Sequence, residues 1–301
     1  MIKIEKREKK QNPDEVVVKR RSQSAEVWRR FKMNHMAVAG MIFMIALILM
    51  AILADVFFDY DKEVITIDIL NQLQGPSAEH ILGTDELGRD MLARIVHGSR
   101  ISLLVGAAAV TYSLIIGSAL GAIAGYFGGM VETVIMRLVD ILQAIPNILL
   151  SIAIVASLGQ SLPILIFAVG ISTIPAYARI VRGSTLTIKG QEYIEAAKAV
   201  GASDWKIIIH HIIPNCLAPI IVQASIRMAV GVLAIATLSF LGMGVKPPTP
   251  EWGSMMAGGR GYLREAWHIT VFPGIAIMLS VLSLNAIGDG LRDALDPKLK
   301  R

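Results

Sequence analysis

Residues 189–214 read KGQEYIEAAKAVGASDWKIIIHHIIP and lie between two apolar stretches, 162–180 and 217–240. Tyr193, Ala196, Ala197 and Val200 recur at helical spacing. Gly201 stands where a helix C-terminus favours a residue that tolerates positive φ. Ser203 can N-cap a second helix with Trp205, Ile208, Ile209 and Ile212 along one side, and Pro214 limits its continuation. The predicted unit is a helix, a sharp turn and a helix, projecting into water from two membrane spans. Its alanines let another protein's surface approach closely, and Glu195 offers a charged rim contact. Packing back on neighbouring polar segments is the competing role.

The flanking stretches belong to a larger pattern. The chain has 301 residues, 54% hydrophobic and 18% charged, whereas soluble chains run at about 45–50% apolar and roughly 25% charged. The apolar residues fall in blocks, and a span needs about 20 of them to cross roughly 30 Å of hydrocarbon. Six predicted spans follow: 36–58, 101–124, 131–158, 162–180, 217–240 and 270–287. Asp55 is the single acid of the first. The third is interrupted by Arg137, Asp140 and Pro146, and is expected to be one embedded helix whose first turns are shielded by protein. Residues 1–21 carry charges of both signs, are predicted to be poorly ordered, and lack the apolar core of a secretory signal. Trp28, Phe31 and His35 then suggest a short amphipathic helix on the membrane surface, or else a charged linker.

The net charge of +5 follows topology rather than a nucleic-acid face. Basic residues crowd before the first span. With six crossings, segments 181–216 (Arg182, Lys189, Lys198, Lys206) and 288–301 (Arg292, Lys298, Lys300, Arg301) share that side. The positive-inside rule therefore predicts both termini in the cytoplasm, with 59–100 and 243–269 outside. Cys216 is the only cysteine, which excludes an internal disulfide and a cysteine-cluster metal site. His210 and His211 are adjacent, so on a helix they point in different directions and suit solvation or capping rather than metal.

Other groups admit paired readings. Gly83 and Gly88 permit tight turns, while Thr84 and Asp85 can cap the helix leading into the second span. Gly83, Thr84, Asp85, Gly88, Arg89 and Asp90 suit a structural turn with an internal Asp–Arg pair, with substrate contact as the alternative. Gly117, Gly121 and Gly125, four apart, form the small-residue pattern that lets helix backbones approach within a bilayer. Arg137 and Asp140 are spaced to pair on one face. Arg227 can face a translocation path, where a peptide carboxylate needs a cation, or answer a structural partner. No P-loop occurs, so this chain cannot cradle ATP phosphates by that route, and no H-E-x-x-H or G-x-S-x-G motif supports a hydrolase.

Glu195-Ala196-Ala197, three residues, Gly201, then a hydrophobic-rich stretch to Ile213-Pro214 resembles the E-A-A-x3-G-x9-I-x-L-P loop of ABC importer permeases. His211 stands where isoleucine is usual, and Ile213 replaces leucine. The run from His80 through Asp90 resembles the H-x-L-G-T-D-x-x-G-R-D segment of the dipeptide, oligopeptide and nickel branch. Leu238–Gly242, Glu251-Trp252-Gly253 and the close from Asn285 to Pro297 are similar to further signatures of that branch, so the likeness covers nearly the whole chain.

The resemblance implies an all-α integral membrane protein with six transmembrane helices and the type I ABC importer permease fold. A tail with an amphipathic helix (1–35) would precede the first span and external loop (36–99), the permease domain (100–289) and a cytoplasmic tail (290–301). It implies a coupling helix containing Glu195, Ala196, Ala197 and Gly201 that docks in a groove of a cytoplasmic ATPase. The implied partners are a second homologous permease, two ATP-binding subunits and an extracytoplasmic solute-binding protein. ATP and Mg would be used by the ATPases, with no cofactor held by this chain. Short peptides are the leading cargo and nickel the next. A secondary transporter should show repeated halves, and a membrane enzyme needs convergent polar groups within its spans; neither pattern is evident.

Overall fold

The computed structural model describes residues 23–295. Residues 1–22 and 296–301, with the charged tail predicted to be poorly ordered and with Asp296, Pro297, Lys298, Lys300 and Arg301, lie outside the described residues. Among the described residues the regular structure is helical. α1 (Gln23–Met33) turns Phe31 inward against Ala37 and Ala294, and Trp28 stacks on Phe31 at 5.7 Å. Asn34 accepts from the Ala37 amide at 3.1 Å and caps α2 (His35–Ile52), so His35 begins the first spanning helix instead of extending the amphipathic one. α3 (Ala54–Phe57) follows after a break at Leu53 and carries Asp55 beyond the first crossing.

α4 (Met91–Phe127) runs for 37 residues, about 55 Å at 1.5 Å per residue, and starts ten residues before the predicted span. Its early charges do not end it because other segments answer them. Arg94 donates to the Val64 carbonyl at 2.6 Å, and Arg100 meets Asp55 at 2.9 Å and the backbone of Ala51 and Ile52. A Cβ on Gly117 would come within 2.6 Å of Tyr177 Cβ, one on Gly121 would strike the Ala178 carbonyl, and one on Gly125 would lie 2.8 Å from Thr185 Cβ. Only glycines allow α4 to lie this close to the later helix that carries those residues.

The predicted third span is not one helix. α5 (Gly129–Ala144) and α6 (Asn147–Leu158) meet at 87°. Ile145 precedes Pro146, takes extended backbone (φ −92°, ψ 127°) and cannot continue the helix. α7 (Leu162–Lys189), α8 (Glu192–Ala199), α9 (Asp204–Ile207), a π-helical turn (Ile208–Ile212) and α10 (Ile213–Asn215) lead to α11 (Leu217–Phe240). α12 (Trp252–Gly259) and α13 (His268–Leu295) complete the described chain. Among the described residues five helices, α2, α4, α7, α11 and α13, are long and apolar enough to cross a membrane, and a sixth span is counted if α5 and α6 form one bent crossing. Segments 59–90 and 243–267 gather at one end of the bundle, the cap end, and α8 with α9 at the other, the elbow end.

Candidate functional site

At the elbow end the α8 terminus is a complete Schellman cap: the Gly201 amide donates to Lys198 O at 2.9 Å and the Ala202 amide to Ala197 O at 3.1 Å. Gly201 adopts φ +81°, and a Cβ there would meet nothing within 4 Å, so glycine is required by backbone conformation alone. Ser203 has the extended backbone of an N-cap but its side chain makes no capping bond. Instead the Asp204 carboxylate accepts from the Tyr126 hydroxyl.

The elbow is anchored by Ile194, Ile207, Ile208, Ile212 and Cys216, all buried with Ala122 and Tyr126. Burial also pushes the Cys216 thiol up from its ordinary value. Tyr193, Val200 (84% exposed), Trp205 and Ile209 face outward with Glu195 and Ala196. Of the four residues predicted to share one side, Ile208 and Ile212 are buried but Trp205 and Ile209 are exposed, and Ile207 is buried with the first two as the helix passes into the π-helical turn. A chain that needs only to connect two helices has no reason to show water such a strip.

Between α5 and α7 lies an open cleft of about 540 Å³. Arg182 pairs with Glu132, and Arg179 meets Asp140 at 2.7 Å. Asp140 is thus engaged by α7 and not by Arg137, contrary to the pairing that sequence spacing suggested; the α5 bend turns Asp140 toward Arg179. A second cavity of about 320 Å³ between α6, α7 and α11 is mainly apolar, with Asn147, Ser151, Ser172, Thr173 and Thr237 among its lining.

Residues 117–301 match the family model described as the binding-protein-dependent transport system inner membrane component, and residues 22–76 match the N-terminal TM domain of oligopeptide transport permease C. The chain is a permease of this family. It is 48% identical to a glutathione transport system permease protein of Pectobacterium atrosepticum, covering 91% of each chain. It is also 48% identical to a dipeptide transport system permease protein of Alkalihalophilus pseudofirmus (91% of this chain, 90% of the other) and 44% identical to a di/tripeptide permease of Pseudomonas aeruginosa (91% and 92%). Its fold is that of the type I importers. The inward-facing MetNI methionine ABC transporter superposes at TM-score 0.56 with 20% identity, covering 68% of this chain and 98% of that one. An amino acid ABC transporter solved with histidines gives 0.51 at 14%, covering 67% and 94%.

The cap end of the permease is built on buried charge. Asp85 accepts from the Leu87 and Arg89 amides at 2.9 and 3.0 Å, and its other oxygen lies 2.7 Å from Arg89 Nε and 3.2 Å from Arg94 Nε. Thr84 bonds Asn71 and Gln74. Neither caps α4, as the sequence suggested; Asp90 does so, accepting from the Ala93 amide at 2.8 Å, because Asp85 is held by the arginines. Gly83 and Gly88 take φ near +79° and +77°.

Glu251, fully buried, accepts from the Gly253 and Ser254 amides at 2.9 and 2.8 Å and from Ser102 at 3.2 Å, so it caps α12 and ties it to α4. Burial pushes its carboxyl above the usual range, against the opposing pull of those donors. Trp252, also fully buried, donates from Nε1 to the Ile95 carbonyl at 2.9 Å. Arg227 sits half-buried on α11. With the Gln223 amide oxygen turned toward it, Arg227 Nε donates at 2.7 Å. His210 bonds the Lys206 carbonyl and His211 lies against Tyr193, in separate directions.

Tyr126, Ile194, Ile207 and Arg179 were missed by sequence reasoning. Tyr126 and Asp204 are 78 residues apart, and no local period links them. Ile194 could have been found, since it is the one bulky aliphatic residue in the first turn of α8.

Proposed function

We propose that this permease is one half of the pore of an ATP-driven importer and carries short peptides inward. A second permease completes the pore, two ATPase subunits dock on α8 and α9, and a solute-binding protein delivers cargo at the cap end. The elbow end and both termini are cytoplasmic in this reading, which agrees with the clustering of basic residues there. The observation that carries it is the elbow itself: a helix pair anchored through Ile194, Ile207 and Asp204, with an outward strip of Tyr193, Ala196, Val200 and Trp205.

In the proposed cycle, ATP binding draws the two ATPases together. Their displacement is transmitted through Glu195, Ala196, Ala197 and the Gly201 turn to α7 and α11, the helices on either side of the elbow. The bundle rocks, its cap end opens to the delivered solute, and release follows on the cytoplasmic side. ATP and Mg stay with the ATPases and no cofactor is assigned to this chain. Peptides are favoured over nickel because the relatives are permeases of glutathione, dipeptide and di/tripeptide transport systems.

The test is uptake of a labelled dipeptide into vesicles containing the complete importer, with nickel as competitor. Gly201→Val, which forces a β-branched residue to positive φ, costs roughly 1–3 kcal/mol locally. It should leave insertion intact while separating ATP hydrolysis from uptake; normal uptake by the variant would count against coupling through this turn.

A further inference from the structure

Among the charged side chains lining the α5–α7 cleft are three guanidiniums, Arg137, Arg179 and Arg182, and two carboxylates, Glu132 and Asp140. Two of the guanidiniums are answered across the cleft, Arg182 by Glu132 and Arg179 by Asp140. Arg137 is exposed and has no hydrogen-bond or ion-pair partner among the described residues. Charged groups on helices of a membrane bundle are costly and are retained where they face a partner or a wet path. The lining therefore has one cation in excess, held beside two acids.

The cleft is also in line with the second cavity. Ser172, which lines that cavity, and Arg179, which lines the cleft, are seven residues apart on α7, on nearly the same face and about 10 Å apart along the axis. Polar groups thus continue from Asn147 and Thr173 down to Arg179 and Arg182. The cleft volume of about 540 Å³ falls in the usual range of ligand sites, about 300–1,000 Å³.

We infer that this cleft binds the peptide during its release, with the unmatched Arg137 guanidinium taking the C-terminal carboxylate. The site rests on the peptide reading above and specifies where cargo is held within this chain. Arg227 is a weaker candidate for the same task because Gln223 already accepts from its guanidinium.

The complete importer, reconstituted with its receptor, tests this. Arg137→Gln should cut uptake of a free-carboxylate dipeptide about tenfold, the size of effect expected for a lost charge-assisted hydrogen bond. Arg137→Lys should retain most of it, and the affinity of the isolated receptor, measured separately, is unchanged by either. In a Cys216→Ser background that keeps Arg137, Thr133→Cys, an exposed position lining the same cleft, should react with a negatively charged thiol reagent, and dipeptide with ATP should slow that reaction. Uptake by Arg137→Gln within twofold of the unmodified importer, or labelling that peptide does not slow, would overturn the site. Absence of peptide uptake by the unmodified importer would instead overturn the peptide reading beneath it.

Discussion

The Tyr126 hydroxyl, one residue from the end of α4, donates a 2.5 Å hydrogen bond to Asp204 at the start of α9. The Lys189 and Lys198 ammonium groups lie 5.7 and 5.0 Å from the centre of the same ring. One phenol therefore joins the ends of α4, α7 and α8 to α9, and Phe127 adds an edge contact to Trp205 at 6.2 Å. Motion imposed on the elbow reaches α4 through this post as well as along the chain.

Tyr126→Phe isolates the hydroxyl, because the ring and its cation contacts are kept. A hydrogen bond to a charged acceptor contributes roughly 1.5–3 kcal/mol. The expected result is normal insertion with a several-fold fall in peptide taken up per ATP hydrolysed, read from paired uptake and phosphate-release assays. Unchanged coupling would remove Tyr126 from the transmission path.

Gly121→Ala tests the α4–α7 seam. The added methyl would meet the Ala178 carbonyl, which belongs to backbone and cannot turn aside. Overpacking of this kind costs typically 1–3 kcal/mol. The thermal midpoint of the purified permease should fall, whereas Gly183→Ala, with open space around its Cβ, should leave it unchanged.

The same seam shows which features a linear reading could reach. The glycine spacing, the apolar blocks other than the third and the Gly201 turn are local patterns, and each falls in the kind of element expected from it. A helix leading into the second span was expected, but its cap was misplaced: Arg89 and Arg94 draw Asp85 away, and Asp90 caps α4 instead. Pro146 was visible, but not that its bend would turn α5 nearly perpendicular to α6 and carry Asp140 to Arg179. The predicted grouping of Trp205 and Ile209 with Ile208 and Ile212 was split because the π-helical turn breaks the period on which such groupings rely.

Asp85→Asn addresses the cap end. Asp85, Arg89 and Arg94 are all buried, and removing the carboxylate that bridges them leaves Arg94 without a counter-charge among the described residues and Arg89 with only Glu86 at 3.6 Å. Breaking a buried pair in this way costs roughly 3–5 kcal/mol. The permease should lose thermal stability and yield of folded protein, with faster proteolysis in 59–90; cleavage confined to the elbow would contradict the assignment.

Glu251 sets a pH dependence. A carboxyl raised by burial stabilises the fold fully below its unfolded value of about 4.3, and that contribution is lost as pH rises through the higher folded value. The thermal midpoint should therefore decline as pH rises above about 4.3 more steeply in the native permease than in Glu251→Gln. Glu251→Ala, which also removes the α12 cap, should cost about 2–4 kcal/mol from lost capping and unmet buried donors. Parallel pH profiles for native and Gln forms would show that Glu251 does not titrate with folding.

Site-specific crosslinking asks most directly whether a separate motor holds the elbow. In a Cys216→Ser background, Ala196→Cys and Val200→Cys on α8 should crosslink to an ATPase subunit in the assembled importer. Leu70→Cys, 93% exposed at the cap end, should not. The α8 yields should also change when ATP is added. Equal crosslinking from residues 70 and 196, or no ATPase captured from α8 in an importer that still transports, would contradict a mechanism driven through this turn.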